Sequence, residues 1–174
     1  RINHRGILLG IINYLNVPNR LEDFTVALDK LDKIGHQAVF EELRNKDFSS
    51  QALERLSSLL EISGNISDQL NTLESILSTH LDAVKGINQL RNVLKYISPL
   101  QSCSLNFDLT LARGLNYYTG IIFEVSPSST LSIGSIAAGG RYDDLTSVFG
   151  LKEVPGIGIS FGLDRLFLVL EEMD

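Results

Sequence analysis

The sequence predicts an α+β protein in which a helical subdomain is followed by part of an antiparallel sheet and a C-terminal helix. Three observations predict it. Apolar residues recur at helical spacing through most of residues 6–97. Pro99 closes that region. Beyond it the chain turns to short alternating or branched stretches divided by glycines, with connections too short for the crossover helices of a parallel sheet.

Arg1 to Arg5, RINHR, read as the end of a strand. Ile7, Leu8, Ile11, Ile12 and Leu15 then mark an amphipathic helix stopped by Asn16-Val17-Pro18. A second helix is expected over Ile34–Arg44, and a third carries Leu53, Leu56, Leu59 and Leu60, with Gly64-Asn65 as its C-cap. Ile66, Leu70, Leu73, Leu77, Leu81 and Val84, then Ile87, Leu90, Leu94 and Ile97, follow at steps of three and four, which describes a helical hairpin or small bundle.

In the second part, Ser104 to Leu111 alternates polar and apolar and Ile121 to Val125 is branched and aromatic, so both read as strands. Ser132–Gly140 and Gly156–Ser160 are two further short strands. The last helix places Leu163, Leu166, Phe167, Leu170 and Met173 on one face, backing the sheet.

Length and composition fit this organisation. The chain has 174 residues, 44% of them hydrophobic and 21% charged, enough to bury a core and unlike a disordered or fibrous sequence. The sequence has no apolar run of membrane-spanning length and no signal-peptide pattern, so no membrane partner is expected and the cytoplasm is the default location. One cysteine and three scattered histidines make no metal-ligand spacing, and no dedicated metal site is expected. The first residue is not Met, which leads us to expect a piece of a longer protein.

A net charge of −6 argues against coating nucleic acid non-specifically. Lys30, Lys33, His36, Arg44 and Lys46 are close enough in sequence to form a local basic face, or to lie on an ordinary mixed-charge helix surface.

The cations of the last third carry more information. Residues 101–174 hold nine carboxylates and four cations, and three of the four lie in glycine-bearing segments: Arg113 in LARGLNYYTG, Arg141 in AAGGRYDDL and Arg165 in PGIGISFGLDRL. Arg113 offers a fork of donors matched to a carboxylate or phosphate. Tyr117 and Tyr118 either pack or meet a polar ring. Gly139-Gly140 makes either a flat floor for a planar base or a bulge. Arg141 either meets an anion or pairs with Asp143, while Tyr142 reads as core. Arg165 sits near the positive end of the last helix dipole, where it joins the backbone N–H groups on a bound anion or forms a surface pair with Asp164 or Glu172. Gly156-Ile157-Gly158 lacks the spacing of a dinucleotide fingerprint.

FDLTLARGLNYYTGIIFEV, GSIAAGGRYDDL and GIGISFGLDRL, in this order and spacing, resemble the C-terminal half of the catalytic core of the histidyl-tRNA synthetase family, and the resemblance extends over RINHR and over DKLDKIG at Asp29–Gly35. It implies a class II aminoacyl-tRNA synthetase that activates histidine with ATP, accompanied by Mg2+, to histidyl-adenylate and passes the acyl group to the acceptor end of tRNA(His). A homodimer is implied for the full-length enzyme. By the same resemblance Arg113 contacts the histidine carboxylate and the α-phosphate, and Tyr117 and Tyr118 line the histidine pocket. Gly139 and Gly140 lie in the ATP site, and Arg165, in motif 3, holds the γ-phosphate. Residues 1–98 then correspond to the insertion domain over the tRNA acceptor end, apart from a core strand at Arg1–Arg5, and residues 99–174 to the second half of the catalytic core.

Asn116 departs from the family, where aspartate is commoner; it loses a charge and keeps hydrogen-bonding capacity. Motif 1, motif 2 and the anticodon-binding domain have no counterpart in these residues. The 174 residues alone are therefore expected to be inactive. The alternative reading is a non-catalytic, histidine-binding paralogue that serves as a regulatory subunit of histidine biosynthesis; the intact RGLNYY, GGRYD and GLDR segments argue against it. A third, a ligand-free helical interaction domain, is disfavoured by the clustering of arginines with glycines.

Overall fold

The computed structural model describes residues 1–97, 103–112, 117–127 and 133–173. Strand β1 (Ile2–His4) runs directly into helix α1 (Arg5–Tyr14), and a 3₁₀ turn at Pro18–Arg20 leads to α2 (Leu21–Leu28), α3 (Leu31–Arg44), α4 (Ser50–Leu60), α5 (Ile66–Ile76) and α6 (Leu81–Tyr96). The sheet then continues with β2 (Ile121–Val125), β3 (Ala137–Tyr142) and β4 (Gly156–Phe161), and α7 (Leu163–Met173) follows. All neighbouring strands are antiparallel, in the order β1-β2-β3-β4. The architecture is α+β. Among the described residues, no helix is long and apolar enough to cross a membrane.

The helices start where short polar side chains satisfy free backbone N–H groups. Ser49 accepts from the Ala52 N–H at 3.1 Å at the head of α4, and Asn65 accepts from the Asp68 N–H at 3.0 Å at the head of α5. Gly64-Asn65 is thus the beginning of α5, not the C-cap of α4, which ends at Glu61. In α3 the backbone breaks at Gly35, whose φ of 79° is open to glycine at little cost, so the regular helix begins where the sequence placed it. Helix α2 is not among the elements expected from sequence. Its face of Phe24, Thr25, Ala27 and Leu28 is buried, and the Glu22-Asp23 first turn is a start signal that could have located it.

One core joins the layers. Ile7, Leu8, Ile11 and Ile12 of α1, Leu56 and Leu59 of α4, Leu70 and Leu73 of α5 and Ile87 and Leu90 of α6 share a buried cluster with Ile2, Ile122, Leu111 and Ala112. Strand register separates the two sheet faces. Ile2, Phe123, Gly139 and Ile159 form one cross-strand row, with His4, Ile121, Arg141 and Ile157 on the same face. Asn3, Ile122, Gly140 and Gly158 form a row on the opposite face, which Glu124, Ala138 and Ser160 share. The His4 ring reaches Gly86 and Gln89 of α6, so the first face is the one that the helices cover at β1.

The second part of the chain departs from its sequence pattern at two places. Ser104–Leu111 is not a strand: Phe107 makes an isolated parallel bridge to Ile2, and the chain turns at Leu109-Thr110. Side chains take the place of ladder bonds along it, since Asp108 Oδ1 accepts from the Thr110 N–H and hydroxyl while the Leu109 and Leu111 carbonyls accept from Asn3 Nδ2. The apolar stripe of α7 is also uncovered. Leu163, Phe167 and Leu170 are exposed and Val169 is buried, while Ile157, Ile159 and Phe161 of β4 are exposed beside them. A patch of this kind marks a contact surface.

Candidate functional site

Tyr117 and Tyr118 lie where the chain enters β2. The Thr119 and Gly120 N–H groups both donate to the Arg141 carbonyl, at 3.0 and 3.4 Å, a bulge that sets this entry against β3. The two tyrosine rings are 4.4 Å apart between centroids and tilted by 59°. Tyr118 lies over Gly140: a Cβ there would stand 2.9 Å from its ring. Burial pushes the Tyr118 phenol up to about 12, and the hydrogen bond with Tyr117 adds to the effect. It stays protonated at neutral pH and acts as a neutral donor or acceptor.

Arg141 and Asp143 pair, with Nε donating to Oδ1 at 2.9 Å, and Asp143 Oδ2 accepts from the Thr119 hydroxyl at 2.7 Å. The Thr119 hydrogen bond, ahead of Arg141, holds the Asp143 carboxyl below its ordinary value. This network fastens the Tyr118 segment to the end of β3. The Tyr142 ring covers Gly156 and Gly158.

Gly139 and Gly140 are in a strand, so they face opposite ways and do not share one floor. The missing side chain of Gly139 is replaced by the Phe123 ring and the Gly158 carbonyl, and that of Gly140 by Tyr118. Arg165 is the third residue of α7, and its Nη1 donates to the Ser135 carbonyl at 2.7 Å, beside Gly134. Ser135 is five residues along the chain from Gly140, about 16 Å at the rise of a strand. Tyr118 and Arg165 therefore mark opposite ends of the β3–β4 pair. Arg113 and Asn116 lie outside the described residues.

Several polar groups at the sheet were missed from sequence. Arg1 donates to Asp32 (2.8 Å), Asp108 (2.8 Å) and Glu124 (2.6 Å), tying the start of α3, the segment before the site and β2 together. The Glu124 side chain is 2% exposed. A lone carboxylate inside IIFEV was the signal, because a buried charge requires a partner. On the helical part, Lys30 pairs with Glu42 and Lys46 with Asp23, so these two lysines of the expected basic face are neutralised locally. Among the described residues, no three His, Cys, Asp or Glu side chains are grouped to hold a metal ion.

His4 carries a pH dependence. Its Nδ1 accepts from the Gly6 N–H at 2.9 Å and caps α1, which leaves the proton on Nε2 for the 2.6 Å bond to Gln89 Oε1. Burial lowers its pKa below 6.5, with Arg141 and Lys85 adding to the shift and Gln89 and Asp143 opposing it. The unfolded imidazole thus takes up a proton before the folded one, so stability is full above about pH 6.5 and falls as the pH drops below it. The urea midpoint should fall between pH 7.5 and 5.5 by more in the wild type than in His4→Asn, which keeps a capping acceptor without the titration. Equal falls would remove His4 from the account.

A sequence model described as histidyl-tRNA synthetase matches residues 1–166. A histidine–tRNA ligase of Christiangramia forsetii is 49% identical over 99% of this chain, and one of Flavobacterium johnsoniae is also 49% identical over 99%. The chain spans 38% and 37% of their lengths. The crystal structure of a histidyl-tRNA synthetase from a Nostoc species superposes with a TM-score of 0.89 at 32% identity, over 99% of this chain and 42% of that one. The match runs through the helical part and the sheet alike, and the three arginine-bearing segments fall within it: the chain belongs to the histidyl-tRNA synthetase family.

Proposed function

We propose that these residues supply one side of the active site of a class II histidine–tRNA ligase, a cytoplasmic homodimeric enzyme. It joins histidine to ATP and then to the acceptor end of tRNA(His). One observation carries the reading: the family match covers the arginine segments while Tyr118 and Arg165 stand at opposite ends of one strand pair. A histidine carboxylate oxygen attacks the α-phosphorus, the bond to the bridging oxygen breaks, and pyrophosphate leaves. Arg113 meets the carboxylate and α-phosphate, where negative charge gathers. Tyr117 and Tyr118 line the histidine pocket, and the neutral Tyr118 hydroxyl bonds the imidazole. Arg165 at the head of α7 holds the γ-phosphate, and Mg2+ enters with ATP as part of the substrate. Gly140 belongs to the floor on the Tyr118 face; Gly139 serves ATP only by letting the strands approach.

Residues 1–98, apart from the strand at Arg1–Arg5, act as the insertion domain over the tRNA acceptor end, where Lys33, His36 and Arg44 are exposed. The exposed apolar surface of β4 and α7 is where the remainder of a protein of the relatives' length packs. A synthetase of that full length carrying these residues should catalyse ATP–pyrophosphate exchange with histidine and with no other amino acid, whereas the 174 residues alone should catalyse none. Histidine binding without exchange in the full-length protein would favour the regulatory-subunit reading instead.

A further inference from the structure

The segment Asn106–Ala112 has the alternation of a strand, yet it leaves the sheet after one bridge. A place where a local pattern is overridden is where function is to be sought. The override has an identifiable agent. Asn3 is fully buried on the face shared by Gly140, and both Nδ2 hydrogens are used, toward the Leu109 carbonyl at 3.2 Å and the Leu111 carbonyl at 3.0 Å. Its Oδ1 accepts from the His4 N–H at 2.8 Å, which fixes the amide orientation. Arg1 holds the same segment through Asp108, and the Ile2 N–H and carbonyl bond Asn106 and Asp108. Leu111 and Ala112 are thereby pinned in the core, and Arg113 is the next residue of the chain.

We infer that Asn3 is a positioning residue for histidine activation, setting the segment that delivers Arg113 to the substrate carboxylate; this rests on the role proposed for Arg113. Two carbonyls converge on one buried amide, so no side chain without two donors reproduces the arrangement. Leucine or valine in its place would leave the buried Leu111 carbonyl and the part-buried Leu109 carbonyl without this donor. Aspartate is the sharper probe. It keeps the acceptor for His4 and turns lone pairs, in place of hydrogens, toward Leu109 and Leu111.

The test compares two ligands in the full-length synthetase. Histidine has the carboxylate, whereas its amino alcohol has the same imidazole and amine with a hydroxymethyl group instead. Calorimetric titration of Asn3→Asp should show histidine binding weakened by about tenfold or more, and the amino alcohol by less than about twofold. Equal weakening of both ligands would mean that Asn3 supports the fold in general, and unchanged histidine binding would mean that it does not act on the site; either overturns the inference. Arg113→Ala, titrated alongside, separates the two claims. If it binds histidine normally, the role of Arg113 is wrong; if it loses histidine while Asn3→Asp does not, the inference about Asn3 alone is wrong. Should Asn3→Asp not fold, Asp108→Asn, which loosens the same segment from a half-buried position, takes its place with the same two ligands and the same outcomes.

Discussion

Arg113→Ala, in a full-length synthetase carrying these residues, should slow histidine-dependent ATP–pyrophosphate exchange by about 10²–10³, a loss near 3 kcal/mol of transition-state stabilisation. The expectation follows from where charge moves. In the ground state the carboxylate and the α-phosphate are both anionic and repel each other as they approach. A guanidinium that bonds one oxygen of each removes that repulsion and gains strength as the new bond forms. The loss should therefore appear mainly in the rate at saturating substrate. Arg113→Lys should recover only part of it, because an ammonium keeps the charge without the planar fork that spans two acceptors. Exchange by the alanine variant within threefold of wild type would end the assignment.

The helical part was legible because its periodicity is local. The stripe of Ile7, Leu8, Ile11 and Ile12 needs no knowledge of its partners to be recognised, and all four residues are fully buried in α1. Helix α2 escaped because LEDFTVAL is barely two turns long and follows a proline turn, leaving a short pattern without an outer boundary. The alternation of Ser104–Leu111 misled for a different reason: period two reports which residues can line a sheet face, while Asn3, about a hundred residues away, decides whether the backbone joins the ladder. Such long-range side-chain bonds leave no local trace.

The site shows the same division. The Arg141–Asp143 pair is two residues apart and was open to reading as one of two alternatives, and the structure takes the pairing. Placing Tyr118 over Gly140 needs the β2–β3 register and the bulge at Thr119, which single-strand patterns do not contain. The stripe of α7 was recognised correctly as apolar, but its exposure follows from what packs beside it, and that information lies in other residues.

The two adjacent glycines of β3 should separate in experiment as they do in space. A Cβ on Gly139 would stand 2.2 Å from the Gly158 carbonyl oxygen and 2.6 Å from the Phe123 ring. The first neighbour is backbone in the paired strand, and it cannot retreat without opening the β3–β4 ladder that extends from Ala137↔Phe161 to Tyr142↔Gly156. Gly139→Ala should therefore lower stability by about 3 kcal/mol, read from the urea midpoint. A Cβ on Gly140 meets the Ile121 carbonyl at 2.7 Å and the half-buried Tyr118 ring at 2.9 Å, so it too presses on backbone of a paired strand, but the overlap is shallower than at Gly139 and is shared with a side chain. Gly140→Ala should displace that ring and weaken histidine binding about tenfold, with a smaller shift in the urea midpoint than Gly139→Ala. Two variants with the same stability loss and the same histidine affinity would contradict the assignment of the two glycines to different faces of the site, and would return Tyr118 to a packing role.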